Sequence, residues 1–140
     1  LSFAGYKTTL GVGVAEVSRD QKTGLVRVHK FWAAVDPGIV VHPQNYIAQT
    51  EGGIIFGISG LMRERISFVN GEIEQNNFYD YDVMRIGDVP DIEVKIVESG
   101  AAPSGGGEIG VPMTGGAIAN AFRALTGQHL RHMPFGYPSS

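Results

Sequence analysis

The chain has 140 residues, of which 43% are hydrophobic, and its formal net charge at pH 7 is −3. This size and composition support one core, and we expect residues 1–140 to form a single domain. The weak negative charge, without a lysine and arginine cluster, gives no reason to expect a nucleic-acid partner, and no apolar run is long enough to cross a membrane. The lack of cysteine excludes disulfides, iron–sulfur ligation and thiolate metal sites within these residues.

The first quarter of the chain predicts two strands joined by a polar turn. Residues 10–17 alternate large and small side chains, and we expect Leu10, Val12 and Val14 to form the packed face. Residues 25–35 predict the returning strand, which a Pro-Gly turn ends.

A long helix is predicted next. Pro43 suits its first turn, and residues 44–63 place several isoleucines on one stripe. Four glycines interrupt it, and each costs about 1 kcal/mol relative to alanine in a helix interior. We therefore expect this helix to press closely against a sheet or a ligand.

The second half of the chain predicts shorter elements. Asn70-Gly71 indicates a tight hairpin turn within residues 66–75, and residues 91–99 alternate as a half-buried strand does. A second helix is predicted over residues 114–127, with Thr114 as its N-terminal cap and Gly127 as its C-terminal cap, followed by a short strand over residues 129–135. The fold class is α+β, a mixed sheet with hairpins covered by two main helices.

The segment SGGGEIGVPMTGG, residues 104–116, contains one acid, Glu108, directly after three glycines. One interpretation is an exposed acid in a glycine linker. The other is a catalytic base on a loop whose bare backbone lets a cofactor approach closely.

Two further candidate sites are open to structural explanations. Backbone N–H groups at 105–107 and 114–117 could bind a phosphate, although the spacing matches neither a dinucleotide-binding fingerprint nor a P-loop, and glycines that serve packing are the favoured explanation. Gln49 and Glu51 are either polar residues on the wet face of the first helix or, for Gln49, an amide that recognises the polar edge of a heterocycle.

Four segments in order resemble one family. FWAAVDPGIVVHPQNYIAQTEGGIIFGIS, NNFYDYDVMRI, DIEVKIVES and GGGEIGVPMTGGAIANAFRALTGQHLRHMPF are similar to the C-terminal part of the molybdenum-binding subunit of xanthine oxidase-type hydroxylases. The branch that the chain resembles most is that of isoquinoline 1-oxidoreductase β-subunit and aldehyde oxidoreductase proteins. The resemblance covers nearly all of the chain from about residue 10.

The resemblance implies roles for three residues. Glu108 aligns with the family's active-site base, which deprotonates a metal-bound hydroxyl or water, while Gln49 aligns with a glutamine that hydrogen-bonds the pterin. Gly107 matches a glycine at which backbone and cofactor come close. The chain departs from the family pattern at Ile109 and Met113, where many members have proline, and at His42, where asparagine is usual.

The resemblance also implies partners, since the family's subunit is several times longer than this chain. The cofactor is expected to be molybdopterin with molybdenum, in its cytosine dinucleotide form, shared with upstream sequence or a partner chain. Iron–sulfur clusters of the 2Fe-2S type belong on a partner, and the substrate is an aldehyde or N-heteroaromatic compound hydroxylated with oxygen from water. The chain by itself is expected to be inactive, and the bacterial periplasm and cytoplasm are both compatible with the sequence. The alternatives are a non-catalytic assembly domain of the same fold and a phosphate- or nucleotide-binding domain.

Overall fold

The computed structural model describes residues 1–135. Its elements in chain order are β1 (Ser2–Tyr6), β2 (Thr9–Arg19), β3 (Val26–Asp36), α1 (Pro43–Met62), β4 (Phe68–Val69), β5 (Glu72–Ile73), β6 (Asp91–Ile96) and α2 (Gly110–Thr126), with a 3-10 turn at Ile86–Asp88 before β6.

Four of the strands form one mixed sheet in the order β1-β2-β3-β6. The first three are antiparallel neighbours, and β6 returns parallel to β3 after α1 has crossed the sheet. Strands β4 and β5 form a separate two-stranded hairpin. The predicted α+β class, a mixed sheet covered by two helices, is therefore confirmed. Among the described residues no helix has the length and apolar character that a membrane crossing needs.

Strand β2 buries the opposite face from the one predicted. Leu10 and Val14 are exposed and Val12 is half-buried, whereas Gly11 and Gly13 face the core. A Cβ at Gly11 would lie 2.7 Å from the Met113 side chain, and one at Gly13 would lie 2.7 Å from Phe31. The side chains of Met113 in α2 and Phe31 in β3 lie so close to this strand that even a Cβ has no room at Gly11 or Gly13 unless they shift, so the alternation is inverted.

Helix α1 is confirmed, with Pro43 in its first turn. The His42 side chain caps it, because its Nδ1 accepts a hydrogen bond from the Asn45 N–H at 3.2 Å. Ile54 and Ile58 are fully buried. Helix α1 packs against both β6 and α2, as the glycine content predicted.

The start of α2 was predicted wrongly. The helix begins at Gly110, four residues before Thr114, and Thr114 is a fully buried residue of its second turn whose hydroxyl donates to the Val111 carbonyl. Gly127 ends the helix in the left-handed conformation, φ 74°, as predicted. The run of small and apolar residues before Thr114 favours the helix because it packs on α1 and the sheet.

Three shorter elements also differ from the prediction. The Asn70-Gly71 turn is confirmed by its two positive φ angles, but the paired strands beside it are only two residues long. Residues 129–135 form no strand; Phe135 instead donates its N–H to the Leu61 carbonyl at 2.7 Å. Strand β1, which the sequence analysis missed, pairs along its whole length with β2.

Candidate active site

The glycine segment before Glu108 is held at successive residues. The Ser104 N–H donates to the Pro37 carbonyl at 2.9 Å, and the Thr9 hydroxyl donates to the Gly105 carbonyl at 2.6 Å. Thr9 is fully buried, so its hydroxyl is fixed by the core of the sheet. The segment is therefore held in place across the end of the sheet, unlike a flexible linker. We call residues 104–107 the strap.

Two tyrosines pack against this strap where its glycines lie. A Cβ at Gly105 would lie 3.0 Å from the Tyr6 ring, and a Cβ at Gly106 would lie 2.5 Å from the Tyr46 hydroxyl oxygen. A side chain at either glycine would therefore have to displace one of these tyrosine rings.

The three residues singled out by the resemblance meet at the end of the strap. The Gln49 Nε2 donates to the Gly107 carbonyl at 2.7 Å, although 58 residues separate them in sequence. Glu108 follows directly, just before α2 begins. Its carboxylate is exposed and has no hydrogen-bond or ion-pair partner among residues 1–135.

These residues line one open cleft of about 900 Å³ between the middle of α1, the start of α2 and the end of β1. Its walls are mainly apolar or bare backbone, and they include the amide of Gln49 and the carboxylate of Glu108. The remaining lining residues are Gly5, Tyr6, Gly52, Gly53, Phe56, Gly105, Gly107, Ile109, Val111 and Pro112.

The cleft has room for a bulky group at two glycines. A Cβ at Gly52 or at Gly107 would meet no described atom within 4 Å, so packing within residues 1–135 does not require glycine at either position. Glycine nevertheless weakens a helix at Gly52 by about 1 kcal/mol relative to alanine. Both positions face the cleft, which fits a cofactor that must approach the backbone.

Tyr46, which packs against the strap, has a hydroxyl in an unusual environment. Its hydroxyl is buried and has no hydrogen-bond partner among residues 1–135, and burial raises the pKa of this phenol above its ordinary value of 10.0. Tyr46 therefore contributes shape under Gly106 rather than a hydrogen bond within the described chain.

The structure removes one of the two backbone segments on which the phosphate-binding alternative depends. Residues 114–117 lie inside α2, where their N–H groups belong to the helix instead of facing a ligand at its start. Among residues 1–135, no three histidine, aspartate or glutamate side chains converge as metal ligands.

Comparison with known proteins identifies the family. Residues 2–90 match the family profile described as a molybdopterin cofactor-binding domain. The chain belongs to that family. The matched region contains Gln49, whereas Gly107 and Glu108 lie beyond it. The resemblance to molybdenum hydroxylases predicted from four sequence segments is confirmed by this match.

Curated relatives of this molybdopterin cofactor-binding domain are much longer proteins. It is 40% identical over 134 residues to the isoquinoline 1-oxidoreductase subunit beta of Brevundimonas diminuta, which covers 96% of this chain and 17% of that protein. It is also 40% identical over 121 residues to the membrane-bound aldehyde dehydrogenase (pyrroloquinoline-quinone) of Gluconacetobacter polyoxogenes, covering 86% of this chain and 16% of that protein. The chain thus spans about one sixth of the length of these relatives.

Solved structures give the same assignment. The aldehyde oxidoreductase from Desulfovibrio gigas matches 93% of this chain and 15% of its own length, with a TM-score of 0.80 and 25% identity. The quinoline 2-oxidoreductase from Pseudomonas putida 86 matches 90% of this chain and 17% of its own length, with a TM-score of 0.76 and 26% identity.

Three residues of the domain's cleft and strap were not predicted from the sequence. Tyr6 was missed because β1 was not predicted, Thr9 because a buried threonine looks like any strand residue, and Tyr46 because it lies in a polar helical turn. A usable signal was the triple glycine itself, because two of its members, Gly105 and Gly106, pack against these tyrosine rings.

Proposed function

We propose that this domain is the part of a molybdenum hydroxylase that supplies the active-site base, Glu108, for oxidation of an aldehyde or N-heteroaromatic substrate with water as the oxygen source. The observation that carries the proposal is the contact between Gln49 and Gly107, which brings two distant parts of the chain together beside an unpaired carboxylate in one cleft. The 40% identity to an isoquinoline 1-oxidoreductase subunit supports the substrate class.

Glu108 suits the role of a general base by its position. Its carboxylate is free of partners within residues 1–135, and the strap that carries it is tethered through Thr9 and Gln49. A base held in place in this way needs little rearrangement to accept a proton from the oxygen nucleophile that attacks the substrate carbon.

The cofactor contacts follow from the same cleft. We assign molybdopterin with molybdenum, in the cytosine dinucleotide form, and when bound it would supply the redox capacity and Lewis acidity of the reaction. Gln49 uses one N–H on Gly107 and retains its amide oxygen and second N–H for the pterin. Gly52 and Gly107 leave the backbone bare where the cofactor comes closest.

The remaining parts of the enzyme lie outside this domain. We propose that the rest of the molybdopterin-binding subunit supplies the other cofactor contacts and that a separate 2Fe-2S subunit carries electrons away. The cleft is open on one side and Glu108 is exposed. Another part of the enzyme must therefore cover the cleft before water is excluded from the reaction.

The decisive experiment is Glu108→Gln in the assembled enzyme. The chain is tested with the remainder of its subunit or grafted in place of the matched segment of the Brevundimonas subunit. Loss of a general base lowers turnover by about 10²–10⁴-fold. The free energy of unfolding of the domain should change by no more than about 0.5 kcal/mol, because the side chain supports no core.

Glu98→Gln is the matched control, since Glu98 is an exposed acid in the loop after β6 and does not line the cleft. It should leave turnover unchanged. Normal turnover of the Glu108→Gln enzyme would instead favour a non-catalytic assembly domain.

A further inference from the structure

One face of the four-stranded sheet is uncovered. Helix α2 packs on β1 and β2, helix α1 packs on β6, and the two helices also pack on each other. An antiparallel sheet with one solvated face normally places polar side chains there. On this sheet the open side of β1, β2 and β3 carries a group of apolar side chains beside the charged pair Glu16 and Lys30.

The apolar residues of this open face are neighbours across the strands. Val12 pairs with Phe3 on one side and with Ala34 on the other, and Val14 pairs with Trp32. We call the patch formed by these residues and Leu10 the open apolar face. Its members are Phe3, Leu10, Val12, Val14, Trp32 and Ala34.

Several apolar residues of this face, on the edge strand β1 and its neighbour β2, are strongly exposed. Phe3 is 63% exposed, Leu10 46% and Val14 39%. Contiguous apolar patches of this kind mark interaction sites rather than ordinary surface. Towards β6 the same side of the sheet becomes charged, with Lys30 paired to Asp91 at 3.2 Å, so the apolar patch has a polar boundary.

The open apolar face is continuous with the Glu108 cleft. A Cβ at Gly5 would lie 3.6 Å from Leu10 and 3.8 Å from Phe3, and Gly5 also lines the cleft. A protein segment that docks on Phe3 and Leu10 therefore also reaches the open side of the cleft.

We propose that the open apolar face docks the part of a molybdenum hydroxylase large subunit that lies outside the region matched by this chain. About five sixths of each curated relative lies outside that region, which leaves ample chain to cover one sheet face. The inference rests on the proposed function, and it adds the surface through which the missing part is held. Docking there also explains how the exposed Glu108 becomes covered.

Trp32 provides a direct probe, because it is the only tryptophan of the chain and lies half-buried on this face. The chain is labelled with 5-fluorotryptophan and followed by ¹⁹F NMR. It is titrated with the unlabelled Brevundimonas subunit from which the matched segment has been deleted. We expect the Trp32 resonance to shift and broaden on binding.

The double variant Leu10→Lys/Val14→Lys should weaken this binding by at least about 100-fold, because two unpaired charges would be buried at the contact. Both side chains are already exposed in the chain alone, so its thermal melt should be nearly unchanged. The matched control is Phe78→Lys, a 92% exposed aromatic on another surface, which should bind as the wild type does.

Three results would overturn the proposal. They are the absence of binding by the wild-type chain, binding that the double variant does not weaken, and self-association that the double variant abolishes, which would assign the face to a second copy. Glu108→Gln should bind like wild type in this assay. A complex that assembles normally but shows no dependence of turnover on Glu108 would refute the proposed function and leave the docking surface standing.

Discussion

The glycines around the cleft fall into two groups that differ in what surrounds them. At the crowded glycines, Gly57, Gly106 and Gly110, a Cβ would lie within 3 Å of atoms in the same chain. At the open glycines, Gly52, Gly60 and Gly107, it would meet no described atom within 4 Å. Crowded glycines stabilise this fold by letting its elements approach, whereas open glycines weaken it and, in the cleft, leave room for something outside the chain.

The largest expected effect tests a crowded glycine. In Gly110→Ala the new Cβ would lie 2.5 Å from the Thr50 carbonyl oxygen and 2.9 Å from the Ile54 nitrogen, which are backbone atoms and cannot turn away. We expect a loss of about 3 kcal/mol in the free energy of unfolding, at the upper end of overpacking effects. Urea denaturation of the isolated domain measures it.

The control on the same helix is Gly115→Ala, where the Cβ would lie 3.4 Å from the flexible Leu61 side chain. It should change the free energy of unfolding by less than about 1 kcal/mol, since helix propensity favours alanine. Equal losses in the two variants would refute the distinction.

The next effect concerns the tether of the strap. Thr9→Val keeps the shape of the side chain but removes the hydroxyl that donates to Gly105, at a cost of about 1 kcal/mol in the free energy of unfolding. Amide hydrogen exchange at residues 105–108 should become faster, because the strap loses one of its attachments. Thr8→Val, at an exposed neighbour, should alter neither quantity.

An open glycine should respond with the opposite sign. Gly52→Ala is expected to stabilise the isolated domain by about 0.5–1 kcal/mol, because alanine favours the helix and its Cβ meets no described atom. In the assembled enzyme the same variant should retain less molybdenum, since the methyl group projects into the cleft. A thermal melt of the isolated domain checks the stability, and metal quantitation checks the molybdenum content of the assembled enzyme. A destabilised domain together with full metal content would contradict the proposal that the cofactor approaches Gly52.

The smallest effect is at Tyr46. Its hydroxyl is buried without a partner among residues 1–135, so Tyr46→Phe should be neutral or stabilising by less than about 1 kcal/mol at pH 7. Burial raises the pKa of this phenol in the folded state, so the unfolded chain loses its proton first. Tyr46 therefore contributes no pH dependence below about pH 10 and destabilises the fold as pH rises above that value.

Tyr46→Phe should accordingly lessen the loss of stability between pH 10 and 11 in urea melts. Tyr81→Phe is the informative comparison, because the raised pKa of Tyr81 comes first from its hydrogen bond to Glu64 and removing that bond should cost stability at pH 7 as well. If Tyr46→Phe were as costly at pH 7, its hydroxyl would have a partner after all.

Elements with local signals could be predicted from the amino-acid sequence alone. The stripe of isoleucines and Pro43 predicted α1, Asn70-Gly71 predicted its turn, and alternation predicted β6, because each pattern depends on neighbours within a few residues. The combination of the glutamine, glycine and acid motifs also indicated the family, and the structure brings Gln49, Gly107 and Glu108 to one cleft.

Features that depend on the distance between elements could be seen only in the folded structure. They are the buried face of β2, the start of α2 and the tethering of the strap. Alternation in β2 is the same whichever face is buried, and only the close approach of α2 selects Gly11 and Gly13 over Leu10 and Val14 for the core. The start of α2 and the tethering of the strap depend likewise on partners up to 96 residues away in sequence, such as Thr9 for Gly105. A local pattern carries no information about such partners, because the backbone groups that they satisfy look alike until the fold brings them together.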